Sequence, residues 1–372
     1  MNREKVAVTW IDFQNWHTLG RQPETYRFAA HIPKFFDRPQ DLPATLLSYD
    51  WTQSFGMPQV IYYDERITIA TLETLQNFFR ARACNIENVV VITSHALGAA
   101  EWWQQRSKLY LEKTFKIQEW LLCRTMTWPK WMSKLEILKE DEIKKQKKLR
   151  YFFSFYGGTN PKMDRLYITL KVRDLAQFGV IDCLTNVRWT KEQFLNHAMW
   201  LTYFQDPSEE QEIMRLYDAY VSNDHIIPSH QFPQLADLPK GNPNIFSYSG
   251  YHWRVDSMCL STVCNETENM QPWAMVSEKT LIPFLHHNLV IPIGYRAVDF
   301  LEAQGFWFAH ELIDYSYQYE PNWLTRLNLM IQSIKHAQHK IANRYTDFFN
   351  DHFVNIRSNA LRVYDHYHST DD

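Results

Sequence analysis

Ser277-Glu278-Lys279-Thr280 places two hydroxyls, a carboxylate and a cation in the first turn of an amphipathic segment whose apolar side is Leu281, Phe284 and Leu285. A lysine is badly placed at a helix amino terminus, because the helix dipole already makes that end positive. A di- or triphosphate lying between Lys279 and the unpaired N–H groups removes the conflict, with Glu278 accepting from ribose hydroxyls. A capping box with a solvated charge pair is the simpler alternative for the same residues. Upstream, Glu266-Thr267 follows the apolar, β-branched run MCLSTVC; downstream, LVIPIG reads as a second buried strand. In open α/β sheets ligands bind beyond the carboxyl ends of strands, where this acidic turn and this helix start would both lie.

Two more groups of residues have chemistry of the same kind. RYFFSFYGG (150–158) reads as a strand entering a glycine turn, and MDRLYITLKVRDLAQFG as the helix after it, stopped by Gly179. Gly157-Gly158 allow a ligand close to the backbone. Asn160 and Arg165 fall at the helix start, where Arg165 would clamp a phosphate bidentately or else be an exposed helical arginine. In the first third, VAVTWIDF ends at Asp12, QVIYYDE ends at Asp64-Glu65 and ENVVVITSH ends at His95. Asp12, Asp64, Glu65 and His95 are therefore strand-end candidates for a general base. Asp12 leads, with Trp16 and His17 nearby; a structural role is the alternative for each. No Asp-x-Asp stands at a strand end, and His286-His287 are adjacent, so on a helix they face apart as surface residues. No metal is expected.

The elements that must position these residues alternate strand and helix, which means parallel, doubly wound sheets. In the first third, strands at 6–13, 59–65 and 87–95 flank a helix at 67–83, and one or two helices follow from Gly98 to Cys123. The stretch up to Trp51 reads as loop. Residues 134–150 are the densest charge run, with Lys144, Lys145, Lys147, Lys148 and Arg150 at its end. It is either a solvated helix or linker, or a basic edge facing an anionic acceptor. A Pro- and Gly-rich loop from His225 to Gly250 precedes the proposed site. From Asn322 the chain is helical, with Leu324, Leu327, Ile331, Ile334, Ile341, Tyr345 and Phe348 on one stripe.

Glu266-Thr267, Ser277-Glu278-Lys279-Thr280, Pro292 with Gly294, and a helix ending in Gly305-Phe306 resemble the sugar-nucleotide half of the fucosyltransferase-like GT-B glycosyltransferases. Ile313-Asp314-Tyr315-Ser316-Tyr317 with the later Arg326 also looks like the tail of viral and bacterial members. The resemblance covers about residues 150–330. It departs from the family at Pro161 and Asp164, which stand where a basic residue and a histidine are usual. It implies an α/β GT-B fold of two Rossmann-like domains. Residues 1–140 would be the acceptor side and 141–320 the nucleotide-sugar side, with 321–372 packing back on the first domain. It further implies a UDP- or GDP-sugar as donor, no cofactor and no metal. Glu278, Lys279, Thr280, Arg165, Asn160, Glu266 and Thr267 would then hold the donor.

At 372 residues the chain has room for two cores, and 22% charged with 45% hydrophobic residues is an ordinary globular balance. A net charge of −3 excludes a generally basic nucleic-acid footprint but leaves room for a local groove. The five cysteines are odd in number with no CxxC, as expected of reduced thiols. No secretory signal or apolar span is apparent, so a cytoplasmic enzyme without a membrane partner is expected. Two acceptors fit such an enzyme: a glycan, or the hydroxymethylpyrimidine of double-stranded phage DNA, with Lys144, Lys145, Lys147, Lys148 and Arg150 on its phosphates. The alternative from another class is a non-catalytic nucleotide-sugar or nucleic-acid binding module. Oligomeric state is left open.

Overall fold

The computed structural model describes residues 27–32, 42, 44–52, 59–63, 67–82, 84–93, 96–119, 138–158, 168–169, 171–183, 190, 192, 214–215, 218, 255–264, 272–276 and 278–368. The strand expected at 6–13 and the loop expected at 225–250 lie outside them. The chain is mixed α/β with parallel sheets and divides into two compact units. The first comprises Met1–Ser133, Gln271–Glu278 and Asp365–Asp372; the second comprises Lys134–Met270 and Lys279–Tyr364.

In the first unit, β1 (Arg27–Ile32), α1 (Ala44–Ser48), β2 (Gln59–Tyr63), α2 (Ile69–Arg80), β3 (Val89–Thr93), β4 (Ala96–Leu97), α3 (Ala99–Tyr110) and β5 (Lys116–Glu119) follow in order. The sheet runs β1-β2-β3-β5, all parallel. Thr68 caps α2 by accepting the Thr71 N–H at 3.1 Å. The buried face of that helix, Leu72, Leu75 and Phe79, meets Val89 and Val91 of β3 and the ring of Trp51 in one core. Two sequence expectations fail here. RFAAHI is a strand where loop was expected, because the prolines of that stretch fall outside those six residues. KIQE is a strand where helix was expected: α3 ends at Leu111, in the left-handed region at φ 53°, and Phe115 then turns into the core.

In the second unit, α4 (Glu140–Gln146) leads into β6 (Tyr151–Gly158), β7 (Gly179–Cys183) and β8 (Cys259–Cys264). The short β9 (Ala274–Met275) belongs to the first unit, antiparallel to β4. There follow α5 (Glu278–Leu285), β10 (Leu289–Pro292), α6 (Ala297–Ala303), α7 (Trp323–Ile341), α8 (Tyr345–Asp351) and α9 (Phe353–His368). The sheet order is β10-β8-β6-β7, all parallel. The chain therefore starts in the middle at β6, adds β7 on one side, then reverses to add β8 and β10 on the other. Gly179 stops the helical segment that ends at Phe178, as expected, and at the same time opens β7, where a Cβ would stand 2.4 Å from the Phe153 ring.

The helices after Asn322 belong to the second unit as far as Tyr364, and Asp365–Asp372 to the first. The reason lies in their partners. Tyr345 meets the Phe152 ring at 6.3 Å between centroids, and the Asn359 amide bonds both the N–H and the carbonyl of Trp307 at 2.7 Å. The apolar stripe is also not one helix, since Ala342 and Asn343 are left-handed and separate α7 from α8. The run from Ile313 to Tyr317 and Arg326 serves the edge strand β10. The Tyr315 and Tyr317 hydroxyls donate to the carbonyls of Val290 and Pro292, at 3.1 and 2.9 Å. The buried Arg326 donates through Nε to Ile293 O at 2.9 Å and through Nη1 to Glu320 O at 2.5 Å. Gln318 accepts the N–H groups of Val298 and Asp299 and so caps α6. Arg326→Met leaves those carbonyls buried without a donor. It is expected to cost about 3 kcal/mol in chemical denaturation. Arg326→Lys, which restores one donor, should recover part of the loss.

Candidate functional site at the carboxyl edge of the second sheet

The reversal of strand order in the second unit lies between β6 and β8. Diverging connections open a crevice there, at the carboxyl ends of the two strands. Those ends carry two features. Tyr156 pairs with Asp182 and Gly158 with Cys183, so the register slips by one residue at Gly157. This bulge interrupts the regular pairing with β7 at the end of β6. Cys264, the last residue of β8, is buried beside it in the sheet, and Glu266-Thr267 come directly after, outside the described residues.

The orientation of α5 follows from what its last turn touches. His286 and Asn288 meet residues on and before β8, as described below, so the helix ends at the amino edge of the sheet. Its first turn therefore lies at the carboxyl edge, with Lys279 exposed and Thr280 buried. Glu278 is the last residue of the first unit's segment and Lys279 the first of the second's. Asn160 and Arg165 lie outside the described residues, as do Asp12, Asp64, Glu65 and His95. Among the described residues no group of three or more His, Cys, Asp or Glu is disposed to hold a metal ion.

Sequence reasoning missed the most concentrated chemistry in the unit, a buried polar cluster beneath this crevice. Asp256, in the turn before β8, is fully buried. Its Oδ1 accepts from Ser154 at 2.7 Å and Tyr156 at 2.8 Å, with Thr262 Oγ1 at 3.3 Å. Its Oδ2 accepts from His286 Nδ1 at 2.6 Å. Burial on its own would raise the Asp256 carboxyl, but the His286 contact, joined by Ser154 and Tyr156, outweighs it and holds the group below its ordinary value. An ionised carboxylate only accepts, so His286 Nδ1 carries the hydrogen. Asn288 donates to Thr262 Oγ1 at 2.9 Å and accepts from Lys147. Lys147 also donates to the Asp256 carbonyl at 3.0 Å, beneath the Phe349 ring.

Two expectations are corrected by this cluster. His286 and His287 are buried rather than on the helix surface, because Pro283 and the left-handed His287, at φ 57°, turn the end of α5 into the core. Lys147 is 6% exposed and bonded on two sides, so it is not available to a phosphate. Of the other cations expected on DNA, Lys144 is ion-paired to Glu140 at 2.6 Å, while Lys145, Lys148 and Arg150 are exposed. The arrangement is not a nucleophilic triad. Ser154 is bonded to the carboxylate rather than to the imidazole, and both are closed to solvent. It is a fixed support for Tyr156, the residue that precedes the bulge.

Comparison of the chain with protein-family models, curated proteins and solved structures found no match. The site stands on its own geometry.

The cluster has a pH signature. Burial pushes the Lys147 ammonium down to about 7 from 10.5, Asp256 and Cys259 opposing, and pushes His287 down to about 3 from 6.5. For Lys147 the unfolded chain holds the extra proton between about 7 and 10.5, so its contribution improves as pH rises through that range. Cys259 and Tyr156 are raised by burial and act oppositely once pH approaches their ordinary values of 9.0 and 10.0. Stability attributable to Lys147 should thus rise between pH 7 and 9, and Lys147→Met should flatten that rise in paired denaturation curves. For His287 the contribution is full above 6.5 and lost as pH falls toward 3, and His287→Asn should flatten that acid limb.

Proposed function

We propose that this chain is a metal-independent glycosyltransferase of the GT-B type that binds a nucleotide-sugar donor at the carboxyl edge of its second sheet. One observation carries the reading. The glycine pair lies on β6 and Glu266-Thr267 come next in sequence after β8, and β6 and β8 are the two strands that flank the reversal of strand order. The start of α5 lies at the same edge. A diphosphate there meets the backbone at Gly157, the Lys279 ammonium and the amino end of α5. In transfer the bond from the anomeric carbon to the diphosphate oxygen breaks and a bond to the acceptor oxygen forms. The acceptor proton passes to a base, for which Asp12, Asp64 and His95 remain the candidates.

The acceptor is better read as a glycan or small saccharide than as DNA, because Lys147 is withdrawn into the core and Lys144 is paired. If duplex DNA were bound through Lys145, Lys148 and Arg150, the slope of log affinity on log salt would be at most about −2.7. A neutral saccharide gives almost none.

Calorimetry with a panel of UDP- and GDP-sugars tests the donor site. Wild type is expected to bind one class. Gly157→Val should abolish that binding without changing the melting temperature by more than a few degrees. Lys279→Ala should weaken it by about 2 kcal/mol, about thirtyfold. No affinity for any nucleotide sugar, or unchanged affinity in both variants, would overturn the assignment.

A further inference from the structure

We propose that the carboxyl-terminal tip of α3 is a docking surface for an anionic lipid bilayer. Leu109, Tyr110 and Leu111 are 76%, 61% and 93% exposed, three consecutive large apolar side chains at a helix end. Leu111 holds the left-handed conformation at φ 53°, in the position where helices usually place glycine or asparagine. An exposed leucine there gains nothing from packing and adds backbone strain, so neither folding nor solubility accounts for it.

The charges around the tip are of one kind once their pairs are set aside. Arg106 holds Glu73 at 2.9 Å, Arg80 holds Glu112 at 3.1 Å and Lys113 holds Glu87 at 2.9 Å. Lys108 and Lys116 are exposed and have no acidic partner among the described residues. Between Arg106 and Lys116 the chain carries four cations and one carboxylate, against a net charge of −3 overall. The tip is thus a basic spot on an acidic protein.

The occupant follows from combining these two features. Nucleic acid would use the lysines and gain nothing from the leucines. A stable protein interface needs about 800 Å² on each side, more than three side chains at a helix end supply. A bilayer needs no such area. Each leucine enters the acyl boundary on its own account, tyrosine belongs at the headgroup level, and lysines draw the tip to anionic lipid. The orientation is also right. α3 runs back from the carboxyl edge of the first sheet, so its tip lies at the amino edge, and docking there leaves the carboxyl ends of those strands open.

The test is co-sedimentation of the full chain with vesicles of phosphatidylcholine alone and of phosphatidylcholine with phosphatidylserine in equal parts. Binding is expected to the mixed vesicles and to be much weaker to the neutral ones. Leu109→Ser with Leu111→Ser should reduce it about tenfold per leucine, and Lys108→Glu with Lys116→Glu at least fivefold per lysine. Leu111→Gly separates the surface from the fold, because it should raise thermal stability by relieving the left-handed leucine while lowering vesicle binding. Absence of binding by wild type to mixed vesicles overturns the proposal. So does binding that the lysine changes abolish and the leucine changes leave intact, which would make the tip a site for a soluble polyanion.

Discussion

Among the described residues one carboxylate, Asp256, sits in the core of the second unit and must be kept ionised there. An isolated charge in that setting is prohibitively costly, and it persists only if each lone pair is met by a donor of the right geometry. Ser154, Tyr156, Thr262 and His286 meet that requirement from four directions. Each donor comes from a different place in the chain: two positions along β6, the centre of β8 and the turn after α5. Satisfying one group therefore fixes the register of two strands and the end of a helix at once. Lys147 and Asn288 extend the constraint to the turns before β6 and β10. The parallel pairing of Ser154 with Thr262 is the register in which both hydroxyls reach the same carboxylate. A slip of one residue would turn them to opposite faces and leave the charge unpaired.

The same constraint divides the sheet into two halves, which under the proposed function have different tasks. From the amino edge to Tyr156 the face is locked by hydrogen bonds and holds groups that are closed to solvent. Beyond Tyr156 the register slips at Gly157, and β6 ends on two glycines that leave its backbone bare. A site that binds a flexible anionic ligand needs this division, because precise positioning comes from a rigid support and close approach from a bare backbone. The edge strand is secured separately. Tyrosine hydroxyls and a buried guanidinium take the carbonyls of Val290, Pro292 and Ile293, which would otherwise be an open template at the rim of the sheet.

The second unit was legible where periodicity and burial agree. MCLSTVC, LVIPIG and the helix between them occur as read, since continuous apolar runs bounded by turn residues leave few alternatives. Two strands of the first unit were not. RFAAHI and KIQE are short, and KIQE follows a helix that ends on a leucine rather than a glycine, so no stop signal marks the change. The buried cluster was missed for another reason. Lys147, Ser154, Asp256, Thr262, His286 and Asn288 span 141 residues and share no local pattern. One clue existed: Lys147 and His286-His287 all border apolar runs that must be buried, where charged side chains have to find partners.

The two units also treat their helix amino termini differently, and under the proposed function that difference assigns the donor. In the first unit the start of α3 is occupied by the protein itself. Glu119, at the end of β5, accepts the Ala100 N–H at 2.7 Å, and Gly98 and Ala99 beside it also favour its charged form. Burial nonetheless outweighs these contacts and pushes the carboxyl above its ordinary value. An incoming phosphate would have to displace this carboxylate and leave it buried beside a second anion. In the second unit the start of α5 carries an exposed lysine instead. Glu278 and Lys279 stand side by side in that first turn, and under the proposed function a diphosphate lies between the ammonium and the helix end. On that reading the donor belongs to the second unit, and the first, whose helix start Glu119 already occupies, is left to a neutral hydroxyl acceptor.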